Sequence, residues 1–453
     1  MKKNLCFLML IVFISSGWHN GIAQQPNRSL IGYWQNWNDG ACPFIQLTEI
    51  NYHYNVICVA FAMPKTGTDY DMGFVPEGIS VADFKTQVDT LQAQGKKVVI
   101  SIGGATSAVK LDDSTERAVF VASMLNIIQT YGFDGVDIDL EGGSLSITGG
   151  TITNPIDPPV INLIEAIKEI MASFHATNGE KMFLGMAPET VYVQGGMSAY
   201  NGMWGAYLPL IHALRDSLEI IYVQLYNSGS MYGIDGEIYN SGTPDFIVSQ
   251  CEALLQGFTT NGGHFDALQP DQVAVGLPAC QNAAGSGFID TAVVKDAVDY
   301  LMGLGPKPGN YTLVDPNGYL ALRGMMTWSI NWDKVSTCGS TWEFAVNYAR
   351  IFGLHLPVFP PKEKSIAMQL YPNPADHQFV VQLPPNSNNG YRITLYNLFG
   401  RAVKEIRTSV LQHDDTDKEL SIVVHVADLP EGLFVLHCEC NGLVTTRKLI
   451  IHH

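Results

Sequence analysis

The sequence predicts a (β/α)8 barrel followed by a small all-β domain. Eight short apolar runs alternate with longer amphipathic segments before about residue 354, and short alternating runs without helical periodicity follow from Met368. Apolar strands separated by helices are typical of a parallel sheet that is covered on both faces. Eight such units in about 330 residues indicate a closed barrel.

The eight predicted barrel strands are rich in apolar and β-branched residues, and they cover residues 29–34, 55–62, 97–102, 135–141, 182–189, 220–227, 272–278 and 324–330. Between them, helical periodicity is clearest over residues 81–94, 114–131 and 159–175. A doubly wound open sheet is the alternative, and it is expected to carry a glycine-rich phosphate turn after its first strand. The segment Trp34-Gln-Asn-Trp37 stands there instead, which favours the barrel.

Three further segments complete the predicted organisation. Residues 1–23 have the order of a secretory signal peptide: basic residues, an apolar run, and small residues before Ala23. A membrane anchor is the alternative, but the apolar run is shorter than the roughly 20 residues that a span requires. We expect the catalytic barrel at residues 24–355, a proline-containing linker at 356–367 and a β-sandwich at 368–453. The predicted strands of the sandwich are 379–383, 392–398, 420–426, 432–439 and 447–453.

Composition narrows the classes of partner. Hydrophobic residues make up 46% of the chain and charged residues 15%, as in a globular protein. Removing residues 1–23 takes away two lysines and no acid, so the formal charge falls from -17 to -19. Such a chain repels nucleic acids and anionic membranes, so we expect a neutral substrate and no nucleic acid. We also expect no membrane span and a monomer. Seven cysteines would remain, which permits disulfides but does not define their pairing.

Polar groups and aromatic rings collect at the C-terminal ends of the predicted strands. In a parallel barrel these ends surround one mouth, where catalysis takes place. Flat rings can cover the apolar faces of pyranose sugars, while carboxylates and amides bind their hydroxyl groups. The sequence therefore predicts a sugar site. Its candidate residues are Tyr33, Phe61, Gly104, Asp137, Asp139, Glu141, Glu189, Gln224, Tyr226, Asn227 and Trp328.

The fourth predicted strand carries three acids on one face, Asp137, Asp139 and Glu141. In a barrel its other, apolar face is covered by helices, so the acids should point inward rather than lie at a solvated edge. A Ca²⁺ or Mg²⁺ site is the alternative, but ligands in a line on one strand do not form a cage. We therefore predict no metal and no cofactor. Crowded acids cannot all ionise, so at least one pKa should be raised. Glu141, outermost and longest, is the predicted proton donor.

Four motifs make the assignment specific. Asp134-Gly-Val-Asp137-Ile-Asp139-Leu-Glu141 resembles the DxxDxDxE motif of glycoside hydrolase family 18, the family of chitinases and endo-β-N-acetylglucosaminidases. Ser101-Ile-Gly103-Gly104 resembles the motif of that family's third strand. Gln224-Leu-Tyr226-Asn227 and Met326-Thr-Trp328-Ser329 resemble those of its sixth and eighth strands. The resemblance extends from Arg28 to about residue 354.

The resemblance implies a retaining, substrate-assisted hydrolysis. Glu141 would protonate the glycosidic oxygen, and the acetamido carbonyl of the sugar would attack the anomeric carbon. Asp139 would hold the acetamido N–H, with Asp137 behind it sharing a proton. Tyr226 would donate its hydroxyl to the acetamido oxygen, and Trp328 would form the floor of the sugar site.

The sixth-strand motif departs from the familiar Met-x-Tyr-Asp, because Gln224 and Asn227 replace its first and last residues. A branch of bacterial chitinases is similar, also with an acid after Ala-Pro, here Glu189. We interpret the departure as membership of that branch. Glu189 also permits another chemistry, in which it acts as a carboxylate nucleophile paired with Glu141. Asp134 is out of phase with the acidic face, and we expect a structural role for it.

The segment between the seventh and eighth predicted strands bears on the mode of cleavage. About 45 residues separate the seventh strand from Gly324, and one predicted helix, 290–303, uses much of this length. That leaves no room for the α+β insertion of some relatives, so a shallow groove and internal (endo) cleavage are expected. The alternatives are an endo-β-N-acetylglucosaminidase acting on the chitobiose core of N-glycans and a catalytically inactive chitin-binding lectin.

The C-terminal region has a resemblance of its own. The segments Leu370-Tyr-Pro-Asn-Pro374, Tyr396-Asn-Leu-Phe-Gly400, Gly432-Leu-Phe-Val435 and Lys448-Leu-Ile450 are similar to the sorting domain of type IX secretion in Bacteroidetes. This resemblance implies the type IX machinery as a partner and passage through the outer membrane. A carbohydrate-binding sandwich is the alternative. Cys438 and Cys440 beside His437 could suggest a metal site, but no second ligand pair has suitable spacing, so a strand with two cysteines on one face is favoured.

Overall fold

The computed structural model describes residues 28–38, 40–335, 339–353, 366–384, 390–397, 402–407, 420–440 and 443–453. The predicted signal peptide and residues 356–365 of the predicted linker lie outside these ranges. Among the described residues, no helix has both the length and the apolar character that crossing a membrane requires.

Eight parallel strands form the barrel, as predicted. They are β1 Ser29–Gln35, β2 Val56–Pro64, β3 Lys97–Gly103, β4 Gly135–Asp139, β5 Phe183–Met186, β6 Ile220–Ile221, β7 Ala274–Pro278 and β8 Gly324–Trp328. Their order in the sheet is β7-β8-β1-β2-β3-β4-β5-β6. Single parallel bridges, Ile221 with Val273 and Gln224 with Gly276, close the ring between β6 and β7.

The observed strands differ from the predicted ones mainly at their C-terminal ends. The predicted strand 135–141 ends at Asp139, because the N–H of Leu140 donates to the Tyr207 hydroxyl at 2.7 Å instead of to a neighbouring strand. The predicted strand 220–227 is regular only over Ile220–Ile221, and beyond it the chain makes single bridges. Asn227, with φ of 50°, turns the backbone away from the barrel wall.

Helices cover the outside of the barrel. They are α1 Val81–Ala93, α2 Ser114–Tyr131, α3 Pro158–Asn178, α4 Leu208–Leu214, α5 Pro244–Gln256, α6 Thr291–Leu301, α7 Ile330–Lys334 and α8 Glu343–Ile351. The long helix α2 shows why such segments form where they do. Asp113 caps its N-terminus by accepting from the N–H groups of Thr115 and Glu116, and Gly132 ends it in the left-handed conformation.

Two cores hold the barrel together. The larger lies between the strands and the helices, and the smaller fills the barrel interior with residues such as Tyr33, Cys58, Tyr222 and Met326. The second core places several polar side chains directly under the mouth of the barrel. The floor of the site is therefore rigid because it is part of a packed interior.

The C-terminal region is all β, as predicted. Its strands are β9 Gln369–Tyr371, β10 Gln378–Leu383, β11 Arg392–Asn397, β12 Ala402–Arg407, β13 Leu420–His425, β14 Gly432–Cys440 and β15 Leu443–Ile451. They form two antiparallel sheets, β9-β10-β13 and β12-β11-β14-β15, around a core of their own. Cys438 and Cys440 are both buried on one face of β14, which fits the predicted strand with two inward cysteines.

Candidate active site

The acidic face of β4 points into the barrel, as predicted. Asp137 is fully buried and Asp139 is 2% exposed, while Glu141 lies half-buried just beyond the strand, at the mouth. The apolar residues of the other face belong to the core between strands and helices; they are Val136, Ile138 and Leu140. Along β4, the acids therefore face the barrel interior, and the apolar residues between them face the surrounding helices.

Asp137 is held by three hydroxyl groups from three other strands or strand ends. Tyr33 donates to its Oδ2 at 2.5 Å and Ser101 donates to the same oxygen at 2.7 Å. Tyr222 donates to Oδ1 at 2.5 Å. Burial raises the pKa of Asp137, whereas these hydrogen bonds lower it. Burial is the larger effect, so the pKa of Asp137 stays above its ordinary value although hydroxyl donors surround its oxygens.

Asp139 has a different environment. The side-chain amide of Gln224 donates to Asp139 Oδ1 at 2.8 Å and to Glu141 Oε1 at 3.1 Å. Burial, followed by the negative charges of Glu141 and Asp137, raises the pKa of Asp139 well above its ordinary value, and a hydrogen bond with Glu141 contributes. Asp139 and Glu141 therefore form a carboxyl pair that shares a proton at the mouth of the barrel.

The backbone around Glu141 is fixed by neighbouring hydroxyl groups. Ser144 donates its hydroxyl to the Glu141 carbonyl at 2.7 Å, and its N–H donates to the same oxygen at 3.0 Å. Tyr192 accepts from the N–H of Gly143 at 3.2 Å. A general acid that must reach one oxygen of its substrate benefits from such a rigid support.

Glu189 follows β5 and is half-buried near the same pair. Burial, and then the negative charge of Glu141, raises the pKa of Glu189 to about 7. The site therefore contains a second carboxyl that is partly protonated at neutral pH. Glu189 lies after the end of β5 and near Glu141, and its role in binding substrate stays a prediction.

The sixth-strand motif divides into two parts. Tyr226 is 4% exposed, and burial followed by the charges of Asp139 and Glu141 raises its pKa well above the ordinary value. Its hydroxyl is therefore a neutral donor beside the carboxyl pair. Asn227 instead is exposed, and its side-chain oxygen accepts from the N–H of Gly285 at 2.8 Å. The structure thus places Asn227 in a loop contact at the rim.

Aromatic rings form a continuous surface beside the acids. Trp328 stacks on Phe61 with ring centroids 5.9 Å apart and an interplanar angle of 10°. Trp37 stacks on the same Phe61 ring at 6.1 Å, and Tyr33 lies 5.6 Å from Trp328. These rings form a flat apolar surface where the sequence predicts the floor of a sugar site. Trp37 was not among the predicted site residues.

Two glycines allow the close approach of the third strand. A Cβ on Gly104 would lie 2.7 Å from the Phe61 ring, and one on Gly103 would lie 2.5 Å from the Asp139 carbonyl oxygen. Both glycines have positive φ, at 80° and 105° respectively. The N–H of Gly104 donates to the Asp139 carbonyl at 2.7 Å. Gly104 therefore supports the site through its backbone.

Asp134 lies outside the site, as predicted. Its carboxylate accepts from the amide of Gln92 at 2.9 Å, from Lys97 at 2.8 Å and from the N–H of Val98 at 2.8 Å. These contacts fasten the start of β4 to the start of β3. The role of Asp134 is structural.

Tyr222 was not among the predicted site residues, although it contacts Asp137 from the chain just after β6. A signal was present, because Tyr222 stands two positions before Gln224 and therefore shares its inward face. The buried thiol of Cys58 contacts the Tyr222 hydroxyl at 3.3 Å, which extends the network to β2. This network connects β1, β2, β3, β4 and the chain beyond β6.

The fold and the site together define a class of protein. A parallel (β/α)8 barrel with a proton-sharing carboxyl pair and an aromatic floor at its mouth is characteristic of glycoside hydrolases. Residues 29–333 match glycosyl hydrolases family 18, and the chain belongs to this family. Residues 369–452 match the secretion system C-terminal sorting domain.

Similarity to curated proteins concerns the barrel. Chitinase Chi52 of Paenibacillus xylanexedens is 47% identical over 309 residues, which are 67% of this chain and 58% of the relative. Chitinase D of Niallia circulans is 47% identical over 313 residues, 68% of this chain and 59% of the relative. The match therefore spans less than two thirds of the length of these curated relatives.

Among solved structures, a family GH18 chitinase from Chromobacterium violaceum is 38% identical, with a TM-score of 0.64 over 72% of this chain and 83% of the other. A putative chitinase A from Streptomyces coelicolor is 32% identical, with a TM-score of 0.59 over 72% of this chain and 99% of the other. These similarities support the (β/α)8 fold.

Proposed function

We propose that the protein is a chitinase that hydrolyses β-1,4 bonds between N-acetylglucosamine units. The observation that carries this proposal is the Asp139–Glu141 carboxyl pair at the barrel mouth, beside the aromatic floor. Its proton is available to a leaving oxygen, and the stacked rings of Phe61 and Trp328 offer a flat surface for the apolar face of a sugar. Curated relatives that match the same barrel are named chitinases, which agrees with this substrate class.

The arrangement suits a retaining, substrate-assisted mechanism. Glu141 would deliver its proton to the glycosidic oxygen while the substrate's own acetamido carbonyl attacks the anomeric carbon. Asp139 would then be free to hold the acetamido N–H, and Tyr226 would donate its hydroxyl to the acetamido oxygen. Glu141, now an anion, would act as the base for the incoming water.

The Tyr226 hydroxyl and the raised pKa of Glu189 support the substrate-assisted mechanism. Within the described part of the chain, the Tyr226 hydroxyl makes no hydrogen bond, so it remains available to a substrate oxygen. The rival role of Glu189 as a nucleophile is less suitable. A carboxylate nucleophile must be ionised, whereas burial and the charge of Glu141 raise the pKa of Glu189 to about 7.

Replacing Glu141 with glutamine tests the assignment directly. Because the proton donor is lost and the shape is kept, kcat on chitin oligomers should fall by at least about 10²-fold, with little change in oligomer binding. Glu180→Gln, at an exposed position after α3, is the matched control and should keep full activity. Unchanged turnover in Glu141→Gln would remove the central assignment.

A comparison of substrates tests the substrate class. The purified protein is offered chitin oligomers and a high-mannose glycoprotein under the same conditions, and products are followed by mass spectrometry. We expect products from the chitin oligomers. Cleavage of the glycoprotein alone would instead establish an endo-β-N-acetylglucosaminidase, and binding of chitin without products would establish a lectin.

We propose endo action on the basis of the region between β7 and β8. Residues 279–323 contain the helix α6 and no strand, so no additional α+β module forms a wall there. An open groove admits internal bonds of a long chain. The viscosity of a soluble chitin derivative should therefore fall faster than reducing ends appear, and a proportional decrease would contradict endo action.

We propose that the chain is exported, with residues 1–23 as signal peptide, 24–355 as catalytic domain, 356–367 as linker and 368–453 as sorting domain. The match of residues 369–452 to a secretion sorting domain supports this organisation. Cys280 is disulfide-bonded, which an oxidising compartment allows. In a host with type IX secretion, a variant lacking residues 368–453 should stay in the cells, whereas the full chain should reach the medium or the cell surface.

A further inference from the structure

Backbone hydrogen bonds join the two sheets of the C-terminal region beside Ala375. Ala375 forms a parallel bridge with Ile451. The N–H of Ala375 donates to the Ile450 carbonyl at 2.7 Å, and the N–H of His452 donates to the Ala375 carbonyl at 2.8 Å. The residues that follow on each segment are therefore held side by side. They are Asp376 and His377 before β10, and His453 after β15.

Three potential metal ligands converge at this junction. Asp376, His377 and His453 each offer one ligand atom, and the three atoms lie within 4.8 Å of one another. His377 contacts Asp376 Oδ1 through its Nδ1. The Nδ1 of His453 lies 3.5 Å from the same oxygen. Two imidazole nitrogens thus approach one carboxylate oxygen from two segments of the chain.

The second nitrogen of His453 is already occupied. Its Nε2 lies 2.9 Å from the Leu429 carbonyl oxygen, and because a carbonyl only accepts, Nε2 must carry the proton. In the neutral ring the lone pair is therefore on Nδ1, the atom that faces Asp376. Metal-binding histidines usually donate their other ring N–H to a carbonyl or carboxylate in this way.

We propose that Asp376, His377 and His453 form a binding site for a divalent transition-metal cation of the Zn²⁺ class. Two imidazoles and one carboxylate are a ligand set that Zn²⁺ accepts, with bond lengths of about 2.0–2.2 Å. The three residues are exposed, and their ligand atoms already lie within 4.8 Å of one another. Glu431, which accepts from the N–H of His453 at 2.9 Å, adds negative charge beside the site.

Such a cation would connect the segment before β10 with the segment after β15. These segments belong to different sheets, so the bound cation would stabilise the folded C-terminal region through preferential binding to its folded form. The site is separate from the catalytic residues on the barrel. Hydrolysis of chitin oligomers should therefore be insensitive to it.

The test uses the untagged full chain after treatment with a chelator. ZnCl2 is titrated calorimetrically into the wild type and into Asp376→Asn and His453→Ala. We expect the wild type to bind Zn²⁺ with a component that each variant weakens by at least about 10-fold. His452→Ala is the matched control, since that side chain faces Glu431, and it should retain the component.

A second measurement identifies the geometry. Co²⁺ should give the visible absorption of a tetrahedral site in the wild type and in His452→Ala, but not in Asp376→Asn. Circular dichroism of the metal-free proteins checks that the variants are folded, and His377→Gln replaces any variant that is not. Equal Zn²⁺ binding by wild type and the ligand variants, or no Zn²⁺ binding by the wild type, would overturn the proposal.

Discussion

Replacing Glu189 with glutamine should make the stability of the barrel less dependent on pH. Burial, and next the charge of Glu141, raises the pKa of Glu189 from 4.5 to about 7. The folded state therefore holds this proton more tightly than the unfolded chain does. As a consequence, ionisation of Glu189 destabilises the fold progressively as the pH rises from about 4.5 through about 7.

The magnitude follows from the two pKa values. A change from 4.5 to about 7 corresponds to about 3.4 kcal/mol, at about 1.36 kcal/mol per pH unit. Because part of the side chain reaches solvent, screening reduces this value, and we expect about 1.5 kcal/mol. Glu189→Gln should therefore be more stable than wild type by about 1.5 kcal/mol above about pH 8. The difference should vanish below about pH 4.5, where both side chains are neutral.

Urea denaturation followed by tryptophan fluorescence measures this difference. No tryptophan lies in the C-terminal domain, and all of them except Trp18 of the proposed signal peptide lie within residues 24–355, so the signal reports the barrel. Titrating groups distant from Glu189 are present in both proteins and cancel in the comparison. The charge of Glu189 also raises the pKa of Asp139, so removing that charge acts in the same direction as the effect of Glu189 itself. Glu180→Gln, exposed after α3, should show no pH-dependent difference from wild type. A constant difference between Glu189→Gln and wild type across this pH range would refute the reasoning.

Three further substitutions test the supports of the site. Gly185→Ala places a methyl group 2.5 Å from the Tyr222 hydroxyl and 2.9 Å from Asp137, so unfolding in urea should show a loss of about 1–3 kcal/mol, with reduced kcat. Tyr222→Phe removes one hydrogen-bond donor to the buried carboxylate of Asp137 and should lower the free energy of unfolding by about 1.5–3 kcal/mol. Tyr348→Phe is its control, because that buried hydroxyl has no partner among the described residues, and equal losses would contradict the assigned role. Asp134→Ala should lower the urea midpoint while kcat of the folded enzyme stays unchanged.

The barrel was predictable because its signals are local. Each strand is an apolar run of a few residues, and the alternation of acids with Val136, Ile138 and Leu140 fixed which face of β4 points inward. The ends of the strands were less predictable, since they depend on hydrogen bonds to residues that are distant in the sequence. β4 stops at Asp139 because the Tyr207 hydroxyl takes the next N–H. Nothing near Leu140 in the sequence announces that contact.

The residue types at the barrel mouth were predictable from the sequence, but the contacts among these residues were not. Its acids, Tyr226 and Trp328 follow from motifs that stand at strand ends. The amide of Gln224 reaches both Asp139 and Glu141, and this bridge depends on the closure of the barrel beyond β6. Asn227 looked equivalent to its neighbours in the motif, yet its positive φ directs it to Gly285. Gln224 and Asn227 therefore differ because of the backbone conformation at Asn227, which their spacing in the motif does not reveal.

The structure explains how three acids on one strand acquire different roles. Asp137 and Asp139 are the same residue type, two positions apart, and both are buried. Three hydroxyl groups donate to Asp137 and lower its pKa, although the effect of burial is larger. Asp139 accepts a hydrogen bond from the amide of Gln224 and faces Glu141. A proton shared with Glu141 therefore removes the repulsion between the two carboxylates. In the proposed mechanism, the proton of the Asp139–Glu141 pair lies at the mouth, where a leaving oxygen can take it, while hydroxyl donors from β1, β3 and the chain beyond β6 hold Asp137.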